Sequence, residues 1–389
     1  MIVLDQIVAI TGAPPKYWQP FDVTSSGGVH FSGWVCRQES DKLGTLAITE
    51  LAGQERLEFV SAMPKIHYPY QQDRHGQMQL VIPVPQNASD ARFTIKLDGT
   101  AIIWYPLTDA EGDVLEVIPR TRLQPILAPS RWGDWNALLA EVLPDRSNVE
   151  RCVREQSVVL AFELWGYRNP HLIKYDQPLA LTLHTAIRHK KIVSHRLLVD
   201  FAGRYDFDLV ESIEVARPDS AGLAEAYRRW QERMEQDNQK AGEGVFVEEG
   251  AILVISTSET AIYYKCKPPS IEEIHWAVGQ HISKEIVQQV LLKMLENGYD
   301  FDAGKVEDAM TELEADFQPP EIEGEVELIR KVWNEFTLEL QKREWLRGLV
   351  EASGLDPRDL PNMMRYLSQH YPKKEMSWVY GTVKTLYGA

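Results

Sequence analysis

The sequence predicts an α+β protein, with antiparallel sheets and flanking helices up to about residue 270 and an all-helical segment after it. Up to Lys267, short apolar runs of strand length alternate with turns rich in Gly and Pro, as at Val29–Val35, Leu57–Ser61, Ala101–Tyr105 and Val114–Ile118. Helical spacing interrupts them at Trp135–Val142, Ser147–Glu155 and Leu223–Gln239. After Ser270 strand signals become scarce, and the stretches Ile271–Asn297, Gly324–Ser353 and Asp356–Tyr387 carry helical spacing. The expected units are therefore 1–270, including a β-rich N-terminal segment 1–70, and a helical unit 271–389.

A chain of 389 residues suggests two to three domains and a sizeable core. Its 44% hydrophobic and 25% charged residues are those of an ordinary globular protein. No window approaches the roughly 18 uninterrupted apolar residues of a membrane span. The segment Met1–Ile10 carries Asp5 and no basic leader, so a signal peptide is not expected. Cys36, Cys152 and Cys266 are widely spaced, which argues against a disulfide framework or zinc site and for a reducing, cytoplasmic setting. A net charge of −16 opposes broad phosphate binding, so any nucleic-acid surface must be local. The best candidate run, His184–Arg196, holds Arg188, Lys190, Lys191 and Arg196 without an acid.

Taken in order, the N-terminal strands are bounded by Gly27-Gly28 and Ala52-Gly53. Phe93, Ile95 and Leu97 then alternate with Thr94, Lys96 and Asp98. In an extended strand the first set faces a core, while Lys96 and Asp98 point an amine and a carboxylate into one space. Gly99 follows, where a turn or a close backbone approach needs a residue without a Cβ. A solvent-facing ion pair before a turn would leave the same pattern.

Ala101–Tyr105 and Val114–Ile118, joined across 109–113, read as a hairpin that delivers Arg120 and Arg122. Arginines at i and i+2 share a strand face and suit bidentate phosphate contacts; a solvent-facing pair is the alternative. Ser157–Trp165 is apolar except for Glu163 near its end. A carboxylate in a buried strand needs a partner, which either a structural arginine or a functional cation could provide. Further on, Glu243-Gly244-Val245-Phe246-Val247 and Ala251–Ser256 read as a second hairpin, turning at Glu248-Glu249-Gly250. Ala261–Lys267 reads as a strand with Lys265 and Lys267 on one face, opposite Tyr264 and Cys266, and Pro268-Pro269 ends it.

Four of these stretches, in order, resemble the motifs of the covalent nucleotidyltransferases, the superfamily of ATP-dependent ligases and mRNA capping enzymes. They are Lys96-Leu97-Asp98-Gly99, Phe162-Glu163-Leu164-Trp165-Gly166, Glu243-Gly244-Val245-Phe246-Val247 and Lys265-Cys266-Lys267. The resemblance covers roughly residues 30 to 270, and the ordered set is far more specific than any one member. The helical C-terminal segment is similar to the phage RNA ligase 1 type, whereas DNA ligases and capping enzymes carry a β-barrel there.

The resemblance implies a nucleotidyltransferase (ATP-grasp-like ligase) domain and an ATP-dependent RNA ligase acting in RNA repair. Lys96 would be the nucleophile, forming a lysyl-AMP from ATP. Ile95, Asp98, Gly99, Glu163, Glu243, Lys265 and Lys267 would line the nucleotide site, with Arg37, Lys65, Arg120 and Arg122 contacting phosphates. Asp98, Glu163 and Glu243 would hold Mg²⁺, with Mn²⁺ an alternative, largely through water. The partners implied are ATP and RNA with 5′-phosphate and 3′-hydroxyl ends. The family's adenine-stacking aromatic has no counterpart in Leu181-Thr182-Leu183-His184, leaving an aliphatic or His184 for that role. A GTP-dependent capping guanylyltransferase, a DNA ligase, or an inactive RNA-end-binding protein are the alternative readings. No Gly-x-x-x-x-Gly-Lys-Ser/Thr, His-Glu-x-x-His or Gly-x-Ser-x-Gly motif competes.

Overall fold

The computed structural model of the protein describes residues 4–38, 40–72, 74, 78–127, 135–169, 173, 175–241, 247–268 and 326–387. Two facing antiparallel sheets organise them. The five-stranded sheet runs β12-β11-β10-β8-β9, built from β8 (Thr100–Thr108), β9 (Val114–Arg120), β10 (Val159–Trp165), β11 (Ala180–Arg188) and β12 (Lys191–Ile192). The four-stranded sheet runs β13-β7-β14-β15, from β7 (Asp90–Ile95), β13 (Ser212–Glu214), β14 (Ala251–Ser256) and β15 (Ala261–Cys266). Side chains from both fill the space between them: Ile103, Ala161 and Ile187 of the first meet Ile252, Val254 and Tyr263 of the second.

Each sheet's other face is covered by helices. Outside the five-stranded sheet lie α2 (Trp135–Val142), α3 (Ser147–Gln156) and α4 (His195–Tyr205), which bury Leu139, Cys152 and Phe201 against Trp104, Leu160 and Leu183. Outside the four-stranded sheet, α5 (Ser220–Ala241) buries Leu223, Tyr227 and Met234 against Phe93, Leu253 and Cys266. Burial on both faces explains why Ala251–Ile255 of β14 are all apolar, since alternate residues serve alternate cores.

The N-terminal part is a meander of β1 (Trp18–Thr24), β2 (His30–Cys36), β3 (Leu46–Leu51) and β4 (Gln54–Val60), preceded by α1 (Leu4–Thr11). Phe31, Leu46 and Val60 of this sheet pack on Tyr105, Leu107 and Ile118 at the far end of the β8–β9 hairpin. A short pair, β5 (Tyr70–Gln72) and β6 (Met78–Leu80), follows. At the C-terminus, α6 (Val326–Ser353), α7 (Leu360–Leu367) and α8 (Met376–Tyr387) share a core of Leu346, Val350, Met363, Leu367 and Val379. The chain is thus mixed α and β with antiparallel sheets and C-terminal helices, as the periodicity predicts. All three cysteines are free and buried, and no described helix is long and apolar enough to cross a membrane.

Two local expectations are corrected. The hairpin partner of Ala251–Ser256 is Ala261–Cys266, with Ala251 opposite Cys266, whereas 243–246 lie outside the described residues. The strand carrying Lys96 also stops one residue before it. Ile95 is 40% exposed instead of facing a core, because β7 reaches the edge of its sheet there and the chain departs for the other sheet.

Candidate active site

The stretch Lys96–Gly99 is the link between the two sheets: β7 ends at Ile95 in one and β8 begins at Thr100 in the other. Its path is held by backbone. The Lys96 N–H donates to the Gly250 carbonyl at 3.0 Å, and the Asp98 N–H donates to the Tyr175 hydroxyl at 2.8 Å. Gly99 passes so close to β10 that a Cβ would lie 2.3 Å from the Leu164 carbonyl oxygen, so no other residue fits this turn. Asn169, buried behind it, donates to the same Leu164 carbonyl at 2.6 Å and to the Thr100 hydroxyl at 3.1 Å.

Register brings the charged groups together. β14 lies between β7 and β15, with Ala251 opposite both Ile95 and Cys266. One step further along all three segments puts Gly250 between Lys96 and Lys267, where a Cβ would stand 2.7 Å from the Cys266 carbonyl oxygen. Glu249 comes next and reaches both neighbours. Its Oε2 lies 2.6 Å from Lys96 Nζ and its Oε1 3.0 Å from Lys267 Nζ.

Lys265 is almost wholly buried, its N–H donating to the His67 carbonyl at 3.0 Å and its ammonium 5.5 Å from the Tyr68 ring. Lys65 is buried two residues before that contact. A cation taken out of water requires compensation, and the Glu249 carboxylate provides it for Lys267.

Glu163 projects from β10 opposite Thr182 and Ala101, and its Oε2 stands 3.7 Å from His184 Nε2. The His184 imidazole is neutral, pushed down to about 3 first by burial and then by the Arg122 and Lys96 cations. Asp98 turns one oxygen to the chain beyond β10, Oδ2 accepting from the Ile173 N–H at 2.8 Å. Tyr175, edge-on to Trp165, sits in the field of Asp98, Glu249 and Glu163; burial above all, then these acids, raises its hydroxyl pKa. Three carboxylates, Asp98, Glu163 and Glu249, thus act on one phenol; Glu243, which the sequence reading gave to this site, lies outside the described residues.

Glu243 lies outside the described residues, and Glu249 was read as part of a turn. A signal for it was present. Glu249-Gly250 is followed by five uninterrupted apolar residues, the mark of a strand buried on both faces, whereas the run after Glu243-Gly244 stops after three at Glu248-Glu249.

Among the described residues, no three His, Cys, Asp or Glu side chains stand close enough to cage a metal. Mg²⁺ needs no such cage, since it keeps waters and takes one or two carboxylates together with substrate phosphates. One or two of Asp98, Glu163 and Glu249 would suffice for that mode of binding.

The two arginines after β9 do not form one pair on a strand face. Arg120 is fully buried over the Tyr105 ring and donates to the carbonyls of Arg122 at 2.7 Å and 3.4 Å to Gln124, and to Gly44 at 2.8 Å. That is an internal tie. Burial lowers its pKa to about 10, still well above neutrality. Arg120→Met is expected to cost about 3 kcal/mol of stability by stranding those buried carbonyls. Chemical unfolding would measure the cost, and an unchanged midpoint would rule out this structural role. Arg122 is half-buried and close enough to bias His184. Arg37 follows β2, its N–H donating to the Tyr17 carbonyl at 2.7 Å.

No family model matches the sequence, and no curated protein does. Among solved structures the chain is similar to two forms of an archaeal ATP-dependent RNA ligase. Each is 14% identical, with 95% of this chain and 90% of that one covered, at TM-scores of 0.45 and 0.46. It is also similar to a protein from Aquifex aeolicus assigned as an ATP-dependent DNA ligase, at 11% identity, 86% and 78% coverage and a TM-score of 0.43.

Proposed function

We propose that the protein is an ATP-dependent RNA ligase that joins 5′-phosphate and 3′-hydroxyl ends through a lysyl-AMP intermediate. The observation that carries this reading is the carboxylate of Glu249 held between Lys96 and Lys267, with Lys265 buried nearby on the same hairpin. With Glu249 against it the Lys96 amine is held as an ammonium; once that carboxylate is displaced, the cations left nearby disfavour the protonated form and make the amine a nucleophile.

In the first step the Lys96 amine, having lost its proton to solvent, attacks the α-phosphorus of ATP. A nitrogen–phosphorus bond forms as the bond to the bridging oxygen breaks, and pyrophosphate leaves. Lys265 and Lys267 hold the α-phosphate oxygens as charge develops on them. Displacing Glu249 from Lys96 frees the amine. A divalent cation arriving with the triphosphate would supply charge neutralisation at the phosphates and at Asp98, Glu163 and Glu249. A 5′-phosphate oxygen of RNA then takes the adenylyl group and restores the lysine. Finally the 3′-hydroxyl attacks the activated 5′-phosphorus, sealing the strand and releasing AMP.

The helices at 326–387, where a DNA ligase or capping enzyme would carry a barrel, favour RNA as the substrate. Incubation with ATP labelled at the α-phosphate and Mg²⁺ tests the reading. Label that stays on the denatured protein and moves to a 5′-phosphorylated RNA is the expected result, whereas no covalent label from ATP would overturn it.

A further inference from the structure

The pairing of β10 with β11 is interrupted beside Glu163. Ala161 lies opposite Thr185 but Phe162 lies opposite Leu183, so His184 is an extra residue bulged out of the ladder. A bulge re-aims side chains and marks functional edges of sheets more often than chance. Here Leu183 and Ala186 enter the helix-side core while Ile187 enters the core between the sheets, so the alternation changes phase across the bulge.

The consequence is that Thr185 is set beside His184, its hydroxyl 2.9 Å from His184 Nδ1. The other ring nitrogen, Nε2, is buried without a hydrogen-bond partner among the described residues, and Glu163 Oε2 stands 3.7 Å away. That distance is too long for a hydrogen bond and short enough for a small side-chain rotation to close. A buried polar atom left open in this way marks a contact to be made.

Given a nucleotide in this pocket, as read above, we propose that His184 is a positioning residue: its Nε2–H donates to Glu163 Oε2 and fixes that carboxylate for the bound nucleotide. Thr185 selects the ring orientation through Nδ1, and the bulge supplies the reach.

The test compares wild type, His184→Leu, His184→Gln, Glu163→Ala and the double variant Glu163→Ala/His184→Leu. Each is checked for folding by circular dichroism, then assayed for adenylylation and titrated calorimetrically with ATP and Mg²⁺. Loss of one hydrogen bond to a charged group predicts a fall of roughly 10- to 100-fold in His184→Leu, with His184→Gln, whose amide can still donate, within about threefold of wild type. The double variant should be no worse than Glu163→Ala, because His184 acts only through that carboxylate.

Multiplying losses in the double variant, or equal losses in His184→Leu and His184→Gln, would overturn the assignment. Wild-type protein that binds ATP but takes no covalent label would remove the transfer reading instead, and the calorimetric cycle would still decide the role of His184. Should His184→Leu not fold, His184→Asn, too short to reach Glu163, takes its place with the same expected loss.

Discussion

Replacing Lys96 with alanine is expected to lower covalent labelling by ATP on the order of 10³-fold or more, with the fold unchanged. The expectation follows from where the side chain sits. It is partly exposed, on a link between sheets, and the ion pair with Glu249 is the contact that dominates its surroundings. Removing it leaves Glu249 still paired with Lys267, so no carboxylate is stranded and stability changes little. The measurement is gel autoradiography of the denatured protein, with a melting curve alongside. Near wild-type labelling by Lys96→Ala would remove the nucleophile assignment, whereas a collapsed melting curve would make Lys96 a structural residue.

The second large effect is expected at Glu249. Glu249→Gln keeps the side chain's shape and abolishes its charge, so the carboxylate shared by Lys96 and Lys267 disappears at once. Adenylylation should fall on the order of 10²-fold, the scale on which one preorganised electrostatic contact is felt. Stability should fall as well, because Lys267 is 3% exposed and keeps its charge with one fewer partner. Glu243→Gln belongs in the same experiment. Full activity in Glu249→Gln with loss in Glu243→Gln would return the role to the earlier Glu-Gly dipeptide; the reverse would place it at Glu249. Single-turnover labelling separates a slower chemical step from weaker ATP binding.

The contact of Glu249 with Lys96 and Lys267 was not legible in the sequence, for a physical reason. Two Glu-Gly dipeptides lie six residues apart, and motif spacing alone does not rank them. What distinguishes the second is sheet position: it leads into β14, whose first five residues are apolar because the strand is sandwiched between two layers. The strand-to-strand elements were legible because period-two patterns and Gly turns act locally; α2 begins and ends where spacing puts it, and α5 runs only a few residues longer.

Less legible were features that depend on partners far along the chain. The exposure of Ile95 follows from where a sheet ends, not from its own sequence. The interior fate of Arg120 depends on carbonyls at Gly44 and Gln124 that no periodicity announces. The run His184–Arg196 divides in a similar way. Arg188 packs on Phe201 and bonds Gln156, while Lys190, Lys191 and Arg196 remain exposed.

The register that gathers Lys96, Glu249 and Lys267 also makes the pocket answerable to the opposite end of its hairpin. Thr257 and Thr260 close the turn between β14 and β15, the Thr257 N–H donating to the Thr260 carbonyl at 2.7 Å. Six paired residues, about 20 Å of strand, separate that turn from Lys267. Because side chains alternate faces along a strand, a slip of β15 by a single residue against β14 would carry Lys267 to the other side of the sheet, and the buried side chains of β15 hold that register. The pairing register of β14 with β15 is thus as much a component of the candidate site as any charged side chain.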